Sequence, residues 1–235
     1  ELKYFIKSSL TKSEPYNPRF IESGREDILR TYDYLEHMEL SGLLRKLHTA
    51  RTIYCFGTGY AQRNAVQEFA KCMQVCGKFC HVIPARNEFE STMSAMNQDD
   101  VVILVSFSGQ TENMREHVKM LALRKIPMIA ITAIGVNFMS SYAEYSLHYQ
   151  TTPTQLSTQR KPYHSFVALS VLLDYIVRRY IDHVETQQRG NSTKTAQVLE
   201  SSEFSAETGA LDVAGIRAQA GAAAIDRQHI DPSET

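Results

Sequence analysis

Two short turns in this sequence combine small residues and hydroxyls in a way that suits the binding of an anion. The richer of the two has three hydroxyl side chains and a glycine in six residues: Ser106, Phe107, Ser108, Gly109, Gln110 and Thr111. Hydroxyls and the free N–H groups of a first helical turn together form a cage for a tetrahedral oxyanion, and no lysine is required. The alternative is local: Thr111 caps a helix and the serines satisfy nearby backbone groups.

The other turn consists of Gly57, Thr58, Gly59 and Tyr60. Its glycines let backbone N–H groups approach an anion, and the following helix start favours negative charge. A dinucleotide-binding fingerprint would need a third glycine where this chain has Gln62, and an acidic residue about twenty positions later. Val82 stands there instead. The turn therefore predicts an anion contact without a nicotinamide or flavin cofactor, and no cofactor is expected.

The elements that position these turns can be predicted from hydrophobic periodicity. Short runs of β-branched, aromatic and aliphatic residues predict strands at 52–56, 79–83, 100–106, 128–132 and 145–150. Helical spacing predicts one or two helices over 19–49, with Gly42 near the break, and further helices at 60–76, 111–125, 138–143 and 162–183. This alternation predicts an α/β fold, a doubly wound five-stranded parallel sheet with helices on both faces. Both turns then follow carboxyl ends of strands, where such sheets bind ligands.

Whole-chain properties exclude some functions. A formal net charge of −1 gives no basic field for gripping a nucleic-acid backbone. No apolar run approaches the roughly 20 residues that span a bilayer, and Glu1–Tyr4 lack the pattern of a signal peptide, so we expect a cytoplasmic protein. The four cysteines lack metal-ligand spacing and are expected to be reduced core thiols: Cys55, Cys72, Cys76 and Cys80.

The two turns and the spacing between them resemble the sugar isomerase (SIS) domain, a phosphosugar-binding fold, over about Arg25 to His183. The resemblance implies a sheet ordered 2-1-3-4-5, in which strands one and three are neighbours and the two turns meet. It also implies that a sugar phosphate is the ligand. One residue departs from the family pattern: Ala61 stands where related domains usually have a serine, so one hydroxyl contact is missing.

A second resemblance concerns the first 18 residues of the chain. Glu1–Lys7 looks like the end of the helix-turn-helix domain of RpiR-type bacterial regulators, and residues 8–18 fit the linker that follows it. Residues 19–183 would then be the effector-sensing domain, and DNA would be bound only by the preceding domain.

Three interpretations of the low-complexity tail, residues 184–235, stay open. It is disordered, it forms an Ala-rich helix around 211–228, or it is sequence added for expression.

Whether such a domain turns over its ligand depends on acid–base groups near the sugar. Aldose–ketose isomerisation needs a base beside C1 and C2 of the sugar, and the candidates are Glu88, Glu90, His81, Lys161 and His164. Glu88 and Glu90 follow the second strand. Lys161 and His164 lie at the start of the last long helix, a region that reaches toward the partner's site in SIS dimers. Of these residues, we expect Glu88 and His164 to contact ligand. Because these groups form no clustered pair, we expect a sensor rather than an isomerase, working as a homodimer or tetramer whose long end helices form the contacts.

Overall fold

The structure is a computed structural model and describes residues 18–190. Residues 1–183 form one compact unit and residues 184–235 a second. The predictions for the helix-turn-helix remnant and for most of the tail therefore lie outside the described residues. Of the second unit, residues 184–190 are described, and they are helical.

Helices and strands alternate along the described part of the chain, in the order that was predicted. Its strands are β1 (Ile53–Gly57), β2 (Cys80–Val82), β3 (Val101–Val105), β4 (Met128–Ala133) and β5 (Tyr145–Tyr149). Its helices are α1 (Pro18–Glu36), α2 (Ser41–Thr49), α3 (Tyr60–Val75), α4 (Arg86–Ala95), α5 (Arg115–Leu123), α6 (Phe138–Tyr142) and α7, which starts at residue 167. A short 3-10 helix, Glu112–Met114, precedes α5.

The five strands form one parallel sheet in the order β2-β1-β3-β4-β5. The predicted fold class and strand order are therefore confirmed. All five residues of β3 are buried, as expected for a central parallel strand that is covered on both faces. Gly57, the last residue of β1, pairs with Val105, the last residue of β3. The chain order reverses between these two strands, so the crevice at their carboxyl ends is the expected ligand position.

Three predicted boundaries differ from the structure. The break in the first helical segment falls at residues 37–40, and Gly42 lies inside α2. The hydroxyl turn leads into a 3-10 turn, so regular α-helix begins at Arg115 and not at Thr111. The last helix begins at residue 167 rather than 162, because residues before it form an irregular loop in which Thr154 and Tyr163 make an antiparallel bridge.

The four cysteines are free thiols. Cys55 and Cys80 are buried in adjacent strands, whereas Cys72 is half-buried on α3 and Cys76 is half-buried directly after it. Within residues 18–190, no helix combines the length and apolar character that crossing a membrane requires.

Candidate functional site

The two turns lie side by side at the carboxyl ends of β1 and β3. We call Gly57–Tyr60 the glycine turn and Ser106–Thr111 the hydroxyl turn. The amide of Thr58 donates at 2.9 Å to the carbonyl of Val105, the residue directly before the hydroxyl turn. Gly57 is required here because a side-chain carbon would overlap the backbone of Gln62 and Arg63 in the first turn of α3. The structure thus brings together the two segments that the sequence singled out.

Within the hydroxyl turn, the side chains bond to one another and to the backbone. The Ser106 hydroxyl accepts from the amide of Gly109 at 3.2 Å and shares a hydrogen bond with the Thr111 hydroxyl at 3.1 Å. Ser108 accepts from the amide of Gln110 at 3.2 Å. Local satisfaction by the serines, the alternative considered above, is therefore present. The helix-capping alternative is not, because the Thr111 side chain makes no cap hydrogen bond.

The residues of the two turns differ in their exposure to solvent. Ser106 and Gly109 are buried, whereas Ser108 and Gln110 are exposed, and Thr58, Gly59 and Thr111 are intermediate. Tyr60 opens α3 with most of its surface in solvent. A buried hydroxyl next to exposed ones gives the turn a fixed inner wall and an accessible outer rim. Such an arrangement suits the capture of an anion from solution.

A second feature adjoins the hydroxyl turn, a cavity of about 330 Å³ next to Ser108. Its lining is mixed: Phe107, Ser108, Ala133, Ile134, Gly135, Val136, Thr151 and His164. His164 packs against the Phe107 ring with 4.6 Å between ring centroids, and its buried Nδ1 has no hydrogen-bond partner within residues 18–190. The structure therefore places His164 beside the hydroxyl turn, although in the loop before α7 rather than in the helix.

The two carboxylates singled out in the sequence are exposed to solvent. Glu88 and Glu90 are exposed on α4, and in the described part of the chain no hydrogen bond or ion pair connects the Glu88 carboxylate to either turn. His81 packs against Tyr54, and Lys161 is exposed. A ligand contact by Glu88 stays a prediction. These groups show no paired acid and base at the two turns.

Sequence reasoning missed three polar residues that support or line the site: Asn137, Thr132 and Thr151. Asn137 is buried, and its carboxamide bonds to Thr132 at 3.0 Å. Thr132 in turn contacts Nδ1 of His148 at 2.9 Å, and burial lowers the pKa of that histidine. An Asn directly before a helix is a recognisable capping signal, so Asn137 was detectable as an N-cap. Its position against the hydroxyl turn was not.

Comparison with known proteins identifies the family. The model of the SIS domain matches residues 46–178, more than half of the chain. The chain belongs to the SIS domain family. In this SIS domain the matched segment contains both turns and all five strands.

Individual relatives agree with that assignment. The chain is 23% identical over 191 residues to the HTH-type transcriptional regulator GlvR of Bacillus subtilis (strain 168), covering 81% of this chain and 74% of GlvR. The sugar isomerase domain of an RpiR transcription factor from Sphaerobacter thermophilus matches with a TM-score of 0.59 and 15% identity, covering 71% of this chain and 92% of that one.

A further structure has a ligand in its description. The Vibrio vulnificus NanR protein complexed with ManNAc-6P matches with a TM-score of 0.59 and 21% identity, covering 82% of this chain and 71% of NanR. Solved structures described as sugar-phosphate isomerases share the fold too. At these identities, the structural matches establish the shared fold.

Proposed function

We propose that this SIS domain is the phosphosugar-sensing effector domain of an RpiR-type transcriptional regulator. The observation that carries the proposal is the pairing of the glycine turn and the hydroxyl turn at the switch point of the sheet. In this proposal the phosphate displaces the local hydrogen bonds among Ser106, Ser108 and Thr111 and takes their hydroxyls as donors. Amide groups of Gly59 and Tyr60 at the start of α3 complete the cage, with the Tyr60 and Gln110 side chains at its rim.

The sugar part is proposed to extend into the 330 Å³ cavity beside Ser108. There, Phe107, Ile134 and Val136 offer apolar surface, while Thr151 and the unpartnered Nδ1 of His164 offer hydrogen bonds to sugar hydroxyls. Such a mixture of apolar walls and few polar groups is typical of small-molecule sites. A contact between the ligand and Glu88, which is exposed on α4, is proposed as well.

The regulator part of the proposal is supported by the relatives. GlvR is a transcriptional regulator, and NanR has been solved with a sugar phosphate. In such a regulator, DNA would be bound by a separate helix-turn-helix domain, consistent with the small net charge of this chain. The effector would act by favouring one geometry of a homodimer or tetramer over another, since a ligand shifts only equilibria between states that it binds differently.

The direct test is thermal unfolding of this chain with sugar phosphates and with the matching free sugars. We expect ManNAc-6P, glucose 6-phosphate or fructose 6-phosphate to raise Tm, because a ligand that binds only the folded state at about 100 times its Kd adds about 2.7 kcal/mol. For a domain of this size that is a shift of roughly 5–10 °C. The free sugars lack the anion and should shift Tm little. Equal shifts from both sets, or none from any phosphate, would contradict the proposal.

A further inference from the structure

The most unusual contact of the hydroxyl turn is made by a residue far from it in sequence. Gly109 is buried and has φ of +63°, a left-handed conformation that favours glycine. The Asn137 side chain lies directly against its Cα, so that any Cβ at Gly109 would overlap the Asn137 carboxamide. In addition, the Gly109 carbonyl accepts from the amide of Met139 at 3.0 Å. The start of α6 thus holds the turn at Gly109 by both packing and a hydrogen bond.

The Asn137 side chain is itself fixed by three hydrogen bonds. Its Oδ1 accepts from the amide of Ser140 at 3.0 Å, which caps α6. Its Nδ2 donates to the Thr132 hydroxyl at 3.0 Å and to the Gly135 carbonyl at 3.1 Å. Thr132 has no exposed surface and lies in β4, next to β3. These three bonds fix the orientation of the carboxamide, whose Oδ1 lies nearest to Gly109.

This arrangement affects the hydroxyl turn through one further bond. The amide of Gly109 donates to the Ser106 hydroxyl, and that hydroxyl is bonded to Thr111. A displacement of Gly109 would therefore move the donor that orients Ser106. A few tenths of an ångström matter in such a cage, because preorganised groups bind without reorganising when the ligand arrives.

We propose that Asn137 is a positioning residue, which holds Gly109 so that the hydroxyl turn keeps its anion-binding geometry. The proposal rests on the proposed function of that turn. In this proposal, Asn137 makes no contact with the ligand. It acts through the backbone of Gly109, and its role goes beyond capping α6.

The test uses Asn137→Ser, because serine caps a helix about as well as asparagine yet lacks both the Oδ1 that lies nearest to Gly109 and the Nδ2 that bonds to Thr132 and Gly135. Binding of inorganic phosphate, ManNAc-6P, glucose 6-phosphate and fructose 6-phosphate is measured by calorimetry well below Tm. We expect affinity for the phosphates to fall about tenfold. A matched control is Ser141→Ala, which removes an exposed hydroxyl bonded to the Phe138 carbonyl in the same helix. It should leave affinity unchanged, and an unchanged affinity in Asn137→Ser would overturn the proposal.

Changing the sizes of residues 109 and 137 together distinguishes a positioning role of Asn137 from general damage to the fold. Gly109→Ala alone should weaken binding severely, since its Cβ collides with Asn137. In an Asn137→Gly background the collision is gone and only the strain of alanine at a φ of +63° remains, so the additional loss caused by Gly109→Ala should shrink by at least about fivefold, a non-additivity expected for residues in contact. Additive losses would contradict a role that acts through Gly109.

The two proposals fail in different ways. If wild type binds sugar phosphates and Ser106→Ala weakens binding while Asn137→Ser does not, only the positioning role of Asn137 is lost. If wild type binds none of the phosphates, or Ser106→Ala has no effect on their binding, the proposed function of the turn is lost and the role of Asn137 with it.

Discussion

The hydroxyl of Ser106 is the buried centre of the hydroxyl turn. It accepts one hydrogen bond from the amide of Gly109 and shares one with the Thr111 hydroxyl. The Ser108 hydroxyl accepts from the amide of Gln110. A bound phosphate would compete for the proton of Ser106 and would leave the Gly109 contact in place. At this scale the site is a small network in which the Ser106 side chain bonds to one backbone amide and to one other side chain.

Ser106→Ala and Thr111→Val are each expected to weaken sugar-phosphate binding by about 1–3 kcal/mol, the range for a lost hydrogen bond to a charged group. Valine keeps the shape of threonine, so the second change removes little besides the hydroxyl. Titration calorimetry measures the effect, with Ser141→Ala as the matched removal of an exposed hydroxyl. Full affinity in both variants would rule out the hydroxyl turn as the phosphate site.

Sequence reasoning found the members of the site that share a local pattern. Ser106, Ser108, Gly109 and Thr111 are close in sequence and follow an apolar strand, so their clustering was visible. Asn137 and Thr151 reach the same place from later in the chain, and only the register of the sheet decides that. The exposure of Glu88 was equally invisible, because an acid after a strand can point to either side.

At the scale of elements, β1 and β3 are joined at their amino ends by an ion pair. Arg51, just before β1, donates to both carboxylate oxygens of Asp100, just before β3, at 3.0 and 2.7 Å. The Asp100 carboxylate has no exposed surface and accepts from the amide of Asn97 as well. Burial alone would raise the pKa of Asp100, but the bonds from Arg51 and Asn97 outweigh it, and the pKa is lowered.

This pair leads to a prediction on stability and pH. A carboxyl whose pKa is lower in the folded state stabilises the fold above its unfolded pKa of about 4, and that contribution is lost as pH falls through the folded pKa. Arg51→Ala should lower the free energy of unfolding at pH 7 by about 2 kcal/mol, because a buried carboxylate loses two charged hydrogen bonds.

Urea unfolding between pH 7 and pH 2 measures both effects. The difference between wild type and Arg51→Ala should be full at pH 7 and should shrink as Asp100 is protonated. Arg45→Ala, a change at an exposed arginine of α2, serves as control and should follow the wild-type curve. A difference that stays constant down to pH 2 would show that the ion pair does not carry the effect. Sugar-phosphate affinity should be unaffected, since Arg51 lies at the opposite ends of the strands from the site.

Elements with strong periodicity were predicted well, and those decided by tertiary contacts were not. β3 was recognisable because all its residues are apolar, which is expected only of a strand covered on both faces. The start of α7 was placed five residues early because Pro162 is a favourable first helical residue, but the Thr154–Tyr163 bridge keeps that segment extended. The break before α2 was assigned to Gly42, whereas the helix tolerates this glycine and Tyr145 packs against it.

For the molecule as a whole, the choice between sensor and isomerase has a direct measurement. We expect that incubation of this chain with aldose and ketose phosphates produces no interconversion detectable by NMR over hours, because Glu88 and Glu90 are exposed and the buried Nδ1 of His164 has no partner within residues 18–190. A phosphoglucose isomerase in the same buffer is the positive control. Turnover at even about 1 per second, an ordinary enzymatic rate, would establish the isomerase instead.

One contact between distant parts of this unit has a consequence for signalling. The buried carboxylate of Asp27 in α1 accepts from the amide and hydroxyl of Thr152, at 2.8 and 2.7 Å, and Thr151 lines the cavity. If α1 and the cavity wall open together because of these bonds, a ligand that stabilises the wall also suppresses the opening of α1. Ligand occupancy would then be readable as slower amide exchange along α1, the first helix after the segment that would lead to DNA.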